Sequence, residues 1–169
     1  MRITKTAVCS VALLATTVLP AFAQNPPRST ADSMRRTFSR VNRIVLDMAK
    51  DFPEDKYDFR LKPEMRSFGE VLVHIASGNA YAAKAGRGEK ANWDEIDAKD
   101  YKTKAAVIDL LQKSITDSEA AIKALPDDAF TKNVQPWLSV TEHSAEHYGL
   151  LVAYYRANGL VPPESRPKK

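Results

Sequence analysis

Cysteine is all but absent from this chain. Cys9 is the only one in 169 residues, and it falls inside an N-terminal stretch that reads as a removable leader. The remainder has no thiol to act as nucleophile, metal ligand or disulfide partner, so its core must hold without covalent staples. Long apolar runs are equally scarce. Past the leader, no stretch reaches the ~18 uncharged apolar residues that a membrane-spanning helix needs. There is also little excess of one charge. Of 25 Lys and Arg, Arg2 and Lys5 lie in the leader, which leaves 23 against 21 Asp and Glu and a net charge of +2. A balance this close gives no electrostatic reason to expect nucleic acid as a partner. Histidine is rare too, with three in the chain, and their placing is the main functional signal.

The leader occupies residues 1–23. Arg2 and Lys5 form a short positive start, Ala7 to Leu19 is almost wholly apolar, and Ala21-Phe22-Ala23 after Pro20 has the A-x-A form of a cleavage site. A secretory signal peptide is expected here, with the mature chain starting near Gln24 and exported to the periplasm or the medium. The apolar stretch is too short to remain as a permanent membrane helix. Residues 24–161 are then expected to form one domain, and 162–169 a polar tail without structure.

Four amphipathic stretches make up that domain. From Ser29 to Lys50, the apolar residues Met34, Phe38, Val41, Val45 and Met48 recur every three or four positions with basic residues between them. The basic residues are expected to form a solvated face. Asp51 to Pro63 reads as a loop with Tyr57 and Phe59 as anchors. Ser67 and Glu70 have capping-box spacing and open a second helix that carries His74 on its apolar stripe and ends near the glycines of Ala85-Gly86-Arg87-Gly88. Glu89 to Lys102 is a charged connection around one large apolar residue, Trp93, and a connection of that length is often functional. A third helix runs from about Thr103 to Leu125 and stops at Pro126. Ser139 and Glu142 offer a second capping box for the fourth helix, which continues through His143 and His147 to Asn158-Gly159. With no strand pattern and no internal repeat, the chain reads as all-α, a four-helix bundle whose long connections leave room for a crossover.

His143 and His147 are four residues apart, so on a helix both imidazoles leave the same face one turn apart. His74 lies on or beside the inward stripe of a second helix. A lone histidine on an apolar face is more often a hydrogen-bonded core residue than a ligand, and H-x-x-x-H alone is a weak motif. Together the three point further, because burying three unpaired imidazoles is costly and one shared cation would satisfy all of them. Neutral imidazole suits zinc, nickel, copper or ferrous iron. Three protein ligands leave a zinc ion a coordination position free, as at catalytic sites, which points to hydrolytic or addition chemistry.

The neighbouring residues carry weaker signals. Glu142 and Glu146 each precede a histidine, but successive helix residues point about 100° apart. Glu142 is therefore expected to serve the helix N-terminus and Glu146 to be solvated or to support a ligand from behind. Asn79, Tyr81 and Tyr148 could border a pocket or simply pack. Trp137, Tyr154 and Tyr155 read as core or interface aromatics. Their position near both ends of the last helix permits a homodimer.

The segments S-F-G-E-V-L-V-H-I-A-S-G-N-A-Y and E-H-S-A-E-H-Y-G-L-L-V-A-Y-Y-R-A-N-G-L-V-P-P-E-S resemble the DinB-like superfamily of small four-helix proteins, and the resemblance extends over essentially the whole mature chain. It implies a bundle with a long crossover, often dimeric, and a divalent metal, zinc or nickel, held by three histidines with water completing the shell. Carried over, the ligands are His74, His143 and His147. The family includes metal-dependent thiol transferases and isomerases that use low-molecular-weight thiols. The leading expectation is an exported metal-dependent hydrolase or transferase acting on a small molecule. The alternatives are a non-catalytic metal- or ligand-binding module and a metal-free structural or interaction bundle.

Overall fold

The computed structural model describes residues 29–167; the expected signal peptide lies outside them. Five helices follow in order: α1 (Thr30–Asp51), α2 (Phe68–Gly86), α3 (Lys104–Ala124), the short α4 (Ala129–Lys132) and α5 (Gln135–Ala157). The four long ones form an all-α bundle, and no strand occurs among the described residues.

Local chemistry explains most of the boundaries. Ser29 Oγ accepts the Asp32 amide at 3.0 Å and caps α1. Ser67 and Glu70 form the expected reciprocal box at the start of α2, each side chain accepting the other's amide. Thr103 caps α3 through the Ala106 amide. After α2, Gly88 adopts φ +78°, a conformation that favours glycine. Cations cap two C-terminal ends, where free carbonyls and the helix dipole attract positive charge. Lys104 Nζ donates to the carbonyls of Lys50 and Phe52 at the end of α1. Arg35 donates to the carbonyls of Ile122 and Leu125 at the end of α3 and pairs with Asp127 at 2.7 Å. Arg35 is thus an exception to the solvated face expected of α1.

The fourth long helix does not start where expected. It begins at Gln135, with Pro136 in its first turn and Val134 as an N-cap that lacks a side-chain cap bond. Proline suits that turn, whose amides have no helical partner anyway. Ser139 therefore lies inside the helix and accepts from Gln135 Nε2 at 2.7 Å. Glu142 caps nothing. The tail also differs from expectation. Pro162 is buried, Pro163–Ser165 makes a 3₁₀ turn, and Arg166 forms a two-pronged pair with Asp51 at 2.8 and 2.5 Å. Glu164 pairs with Arg43 at 3.1 Å, so the segment up to residue 166 is strapped across the end of α1.

Side-chain contacts give the helix directions. Phe52, just past α1, stacks on Phe68 at the start of α2 (3.8 Å), and Lys104 at the start of α3 reaches the same end. At the other end, Trp137 near the start of α5 packs over Gly86 at the end of α2 and edge-on to Phe38 (5.5 Å). Hence α2 and α3 run parallel to each other, and α1 and α5 run opposite to them. α1 and α2 each pack against both α3 and α5, which puts α1 and α2 on a diagonal. Because α2 ends where α3 does not begin, Arg87–Thr103 must travel back along the bundle. This is the long crossover.

The core has two parts. Around the α2 N-terminus it gathers Phe52, Tyr57, Phe68, Leu72, Tyr154 and Tyr155. At the opposite end it gathers Phe38, Ala82, Ile122, Phe130, Trp137 and Val140. Trp137, Tyr154 and Tyr155 are therefore core residues. The Tyr155 hydroxyl donates to the Met48 carbonyl (2.8 Å), while those of Tyr57 and Tyr154 donate to the carbonyls of Ala49 and Arg66. On α5 the two parts meet across the stretch that carries His143 and His147.

Candidate metal centre

The antiparallel packing of α5 on α2 brings the three histidines together. His143 and His147 leave the same face of α5 one turn apart, their ring centroids 4.5 Å from each other. The His74 ring from α2 sits 4.7 Å from one and 4.8 Å from the other. One nitrogen from each ring lies within 4.8 Å of the others, and the Nε2 atoms of His74 and His143 are 2.9 Å apart.

The protonation chemistry favours lone pairs at this point. Burial, reinforced by His147, His74 and Arg66, pushes the His143 imidazole down to about 3. Burial, with His74 and Arg66, pushes His147 down to about 4 against an opposing pull from Glu95. Both rings are neutral at pH 7. For His74 the tautomer follows from its partner. Both Glu95 carboxylate oxygens lie 2.8 Å from His74 Nδ1; a carboxylate only accepts, so Nδ1 carries a hydrogen and Nε2 is the nitrogen turned to the other rings. The buried Nδ1 of His143 has no hydrogen-bond partner. Three imidazoles that converge in this way, two of them held neutral by burial, fit a divalent cation, and the three-histidine group could hold one.

Two further side chains reach the cluster from the crossover. Trp93 presents its ring edge-to-face to His143 at 4.8 Å and stacks on Tyr81 at 5.2 Å. Glu95, besides meeting His74, lies 3.4 Å from an Arg66 guanidinium nitrogen. Beyond His147 opens a cleft of about 470 Å³ with Val71 and Leu150 on its apolar side and Arg66 and Glu64 on its polar side. A separate cavity of about 310 Å³, between Tyr57 and Tyr101 at the start of α2, is lined by no histidine.

The other sequence candidates divide. Tyr81 borders the centre through Trp93. Asn79 does not, being fully buried and donating to Asn42 Oδ1 at 3.1 Å across the bundle. Tyr148 packs against the larger part of the core. Glu142 and Glu146 are exposed on α5, and neither forms a hydrogen bond or ion pair among the described residues. Glu95 and Arg66 were not singled out by sequence reasoning. The one available signal was Trp93, a large aromatic residue isolated in a charged connection.

Fold and site together define a four-helix bundle with a histidine cluster shared between two helices and overlaid by a crossover. The model of the DinB superfamily matches residues 37–155, and the chain belongs to that superfamily. All three histidines and the whole crossover lie within the match. No curated protein matches the chain.

Proposed function

We propose that His74, His143 and His147 bind one divalent cation, zinc or nickel, and that the protein is a metal-dependent hydrolase or transferase acting on a small molecule. The observation that carries this reading is the convergence of three imidazole nitrogens beside an open cleft. When bound, the cation supplies Lewis acidity to polarise a substrate oxygen or a water. The chain's own residues do the rest. His143 and His147 are held neutral by burial and so offer lone pairs at neutral pH. Leu150 offers apolar contact to a substrate entering beside His147, and Arg66 offers hydrogen-bond donors at the rim. Tyr154 steadies that rim by bonding the Arg66 carbonyl.

Export to the periplasm or the medium belongs to the same reading and rests on the leader pattern of residues 1–23. The test is elemental analysis of protein purified from its native compartment without added metal or a histidine tag, beside a variant with all three histidines changed to alanine. About one metal per chain, lost in the variant, is the expected result. No metal in either, and none taken up on titration, would overturn the reading in favour of a metal-free bundle.

A further inference from the structure

The crossover Arg87–Thr103 contributes no histidine, yet its path takes it over the cluster. Because α2 and α3 are parallel, the chain must return along α2, and the returning residues lie against its middle. Trp93 lies against Tyr81 and Gly78, Glu95 against His74, and the Ile96 amide donates to Ser77 Oγ at 3.0 Å. Ile96 also packs on the core. The segment that carries Trp93 and Glu95 is thus anchored where it crosses the histidines.

We propose that this crossover is a clamp on the metal centre, in which Glu95 and Trp93 act as positioning residues for His74 and His143 and set the affinity for the cation. The inference rests on the metal-binding reading above.

Glu95 carries the stronger half of the argument. With both oxygens at 2.8 Å from Nδ1, the carboxylate holds the His74 ring in one orientation with Nδ1 as the donor. Outer carboxylates of this kind typically change metal affinity by about 10- to 100-fold. Glu95 is half-exposed and its pairing with Arg66 is long, at 3.4 Å, so that ion pair adds little to stability. The contact with His74 gives the carboxylate its specific placement.

Trp93 fixes the second ring. A Cβ on Gly78 would fall 2.8 Å from Trp93 Cζ2 and 3.1 Å from His143 Nδ1, so the bare glycine is the seat on which both rings rest. Tyr81 stacks on the indole at 5.2 Å. Held this way, the indole covers His143 on its Nδ1 side, where the nitrogen has no other partner.

The test is the zinc dissociation constant, measured by competition with a chromophoric chelator, for the wild type, Glu95→Ala, Glu95→Asp, Trp93→Leu and each histidine-to-alanine variant. We expect Glu95→Ala to bind roughly 10- to 100-fold more weakly, Glu95→Asp to recover part of the loss, and Trp93→Leu to weaken binding by a smaller factor. Circular dichroism and melting of the metal-free variants should stay at wild-type values. Nitrogen NMR of the labelled imidazoles should find His74 protonated at Nδ1 in the wild type and a mixture of tautomers in Glu95→Ala. If the wild type binds zinc, the histidine variants lose it and Glu95→Ala stays within twofold of the wild type, the clamp is wrong and the metal centre stands. If the wild type takes up neither zinc nor nickel, both inferences fall.

Discussion

His74 and His143 come from different helices, yet their Nε2 atoms meet at 2.9 Å, while His74 Nδ1 is held from behind by Glu95. One nitrogen of His74 is thus fixed as a donor and the other is left to the cluster. The first prediction uses this arrangement. His143→Ala should lose most of the bound metal and remain helical, because the ring is only half-buried and the helix around it is held by Val140, Leu151, Tyr154 and Tyr155. Elemental analysis and circular dichroism on the same sample check it, and stoichiometric metal in the variant would refute the ligand assignment.

Acid should destabilise the metal-free protein. Burial keeps His143 and His147 neutral down to about 3 and about 4 respectively, whereas in the unfolded chain each takes up a proton near about 6.5. Below that point the unfolded state binds more protons, so stability falls as pH is lowered from about 6.5 toward 4. Urea midpoints at pH 7.5 and 5 should therefore differ, and changing both histidines to glutamine should narrow the gap. An unchanged gap would mean that other groups cause it.

Gly78→Ala should weaken metal binding although Gly78 is no ligand. The added methyl meets the far edge of Trp93 at 2.8 Å, and the indole, on a partly exposed connection, is the group free to move. Trp93 is already partly exposed, so its emission should move further toward that of a free indole, read in a Trp137→Phe background. Wild-type emission together with wild-type affinity would show that the seat does not matter.

Glu142→Gln should change neither melting nor metal content. Glu142 lies inside α5 on its exposed side, and surface substitutions of this kind stay within about 0.5 kcal/mol. A fall in melting temperature of several degrees would restore the capping role expected from the sequence.

Arg166→Ala should loosen the strap over α1. It removes a two-pronged pair with Asp51, which also accepts from Tyr155 at 3.1 Å. The partners are partly exposed, so the expected loss of stability is small. Chemical denaturation checks it, and proteolysis should cut beyond Val161 sooner in the variant.

Much of the fold was legible because its signals are local. The stripe in α1, the stop at Pro126 and the box at Ser67 and Glu70 depend on residues within a turn or two of each other. The same box spacing at Ser139 and Glu142 misled, because Val134-Gln135-Pro136 had already started the helix and a box inside a helix has no free amides to cap. The tail misled for a different reason. Its polar composition reads as solvated, but Arg166 finds its partner at Asp51, 115 residues earlier in the chain.

The sequence by itself determined the helices and the placing of two histidines on one face, since a spacing of four residues and a helical period of 3.6 leave no other arrangement. It also marked His74 as inward-facing, through the apolar residues around it. Only the tertiary structure decided that the three rings share one point, that Glu95 and Trp93 cover them, and that Arg35 and Lys104 close helices far away in the chain. These are contacts between segments whose approach is set by the parallel run of α2 and α3. No local pattern encodes that direction, because the length of the crossover permits it without specifying where its side chains will land.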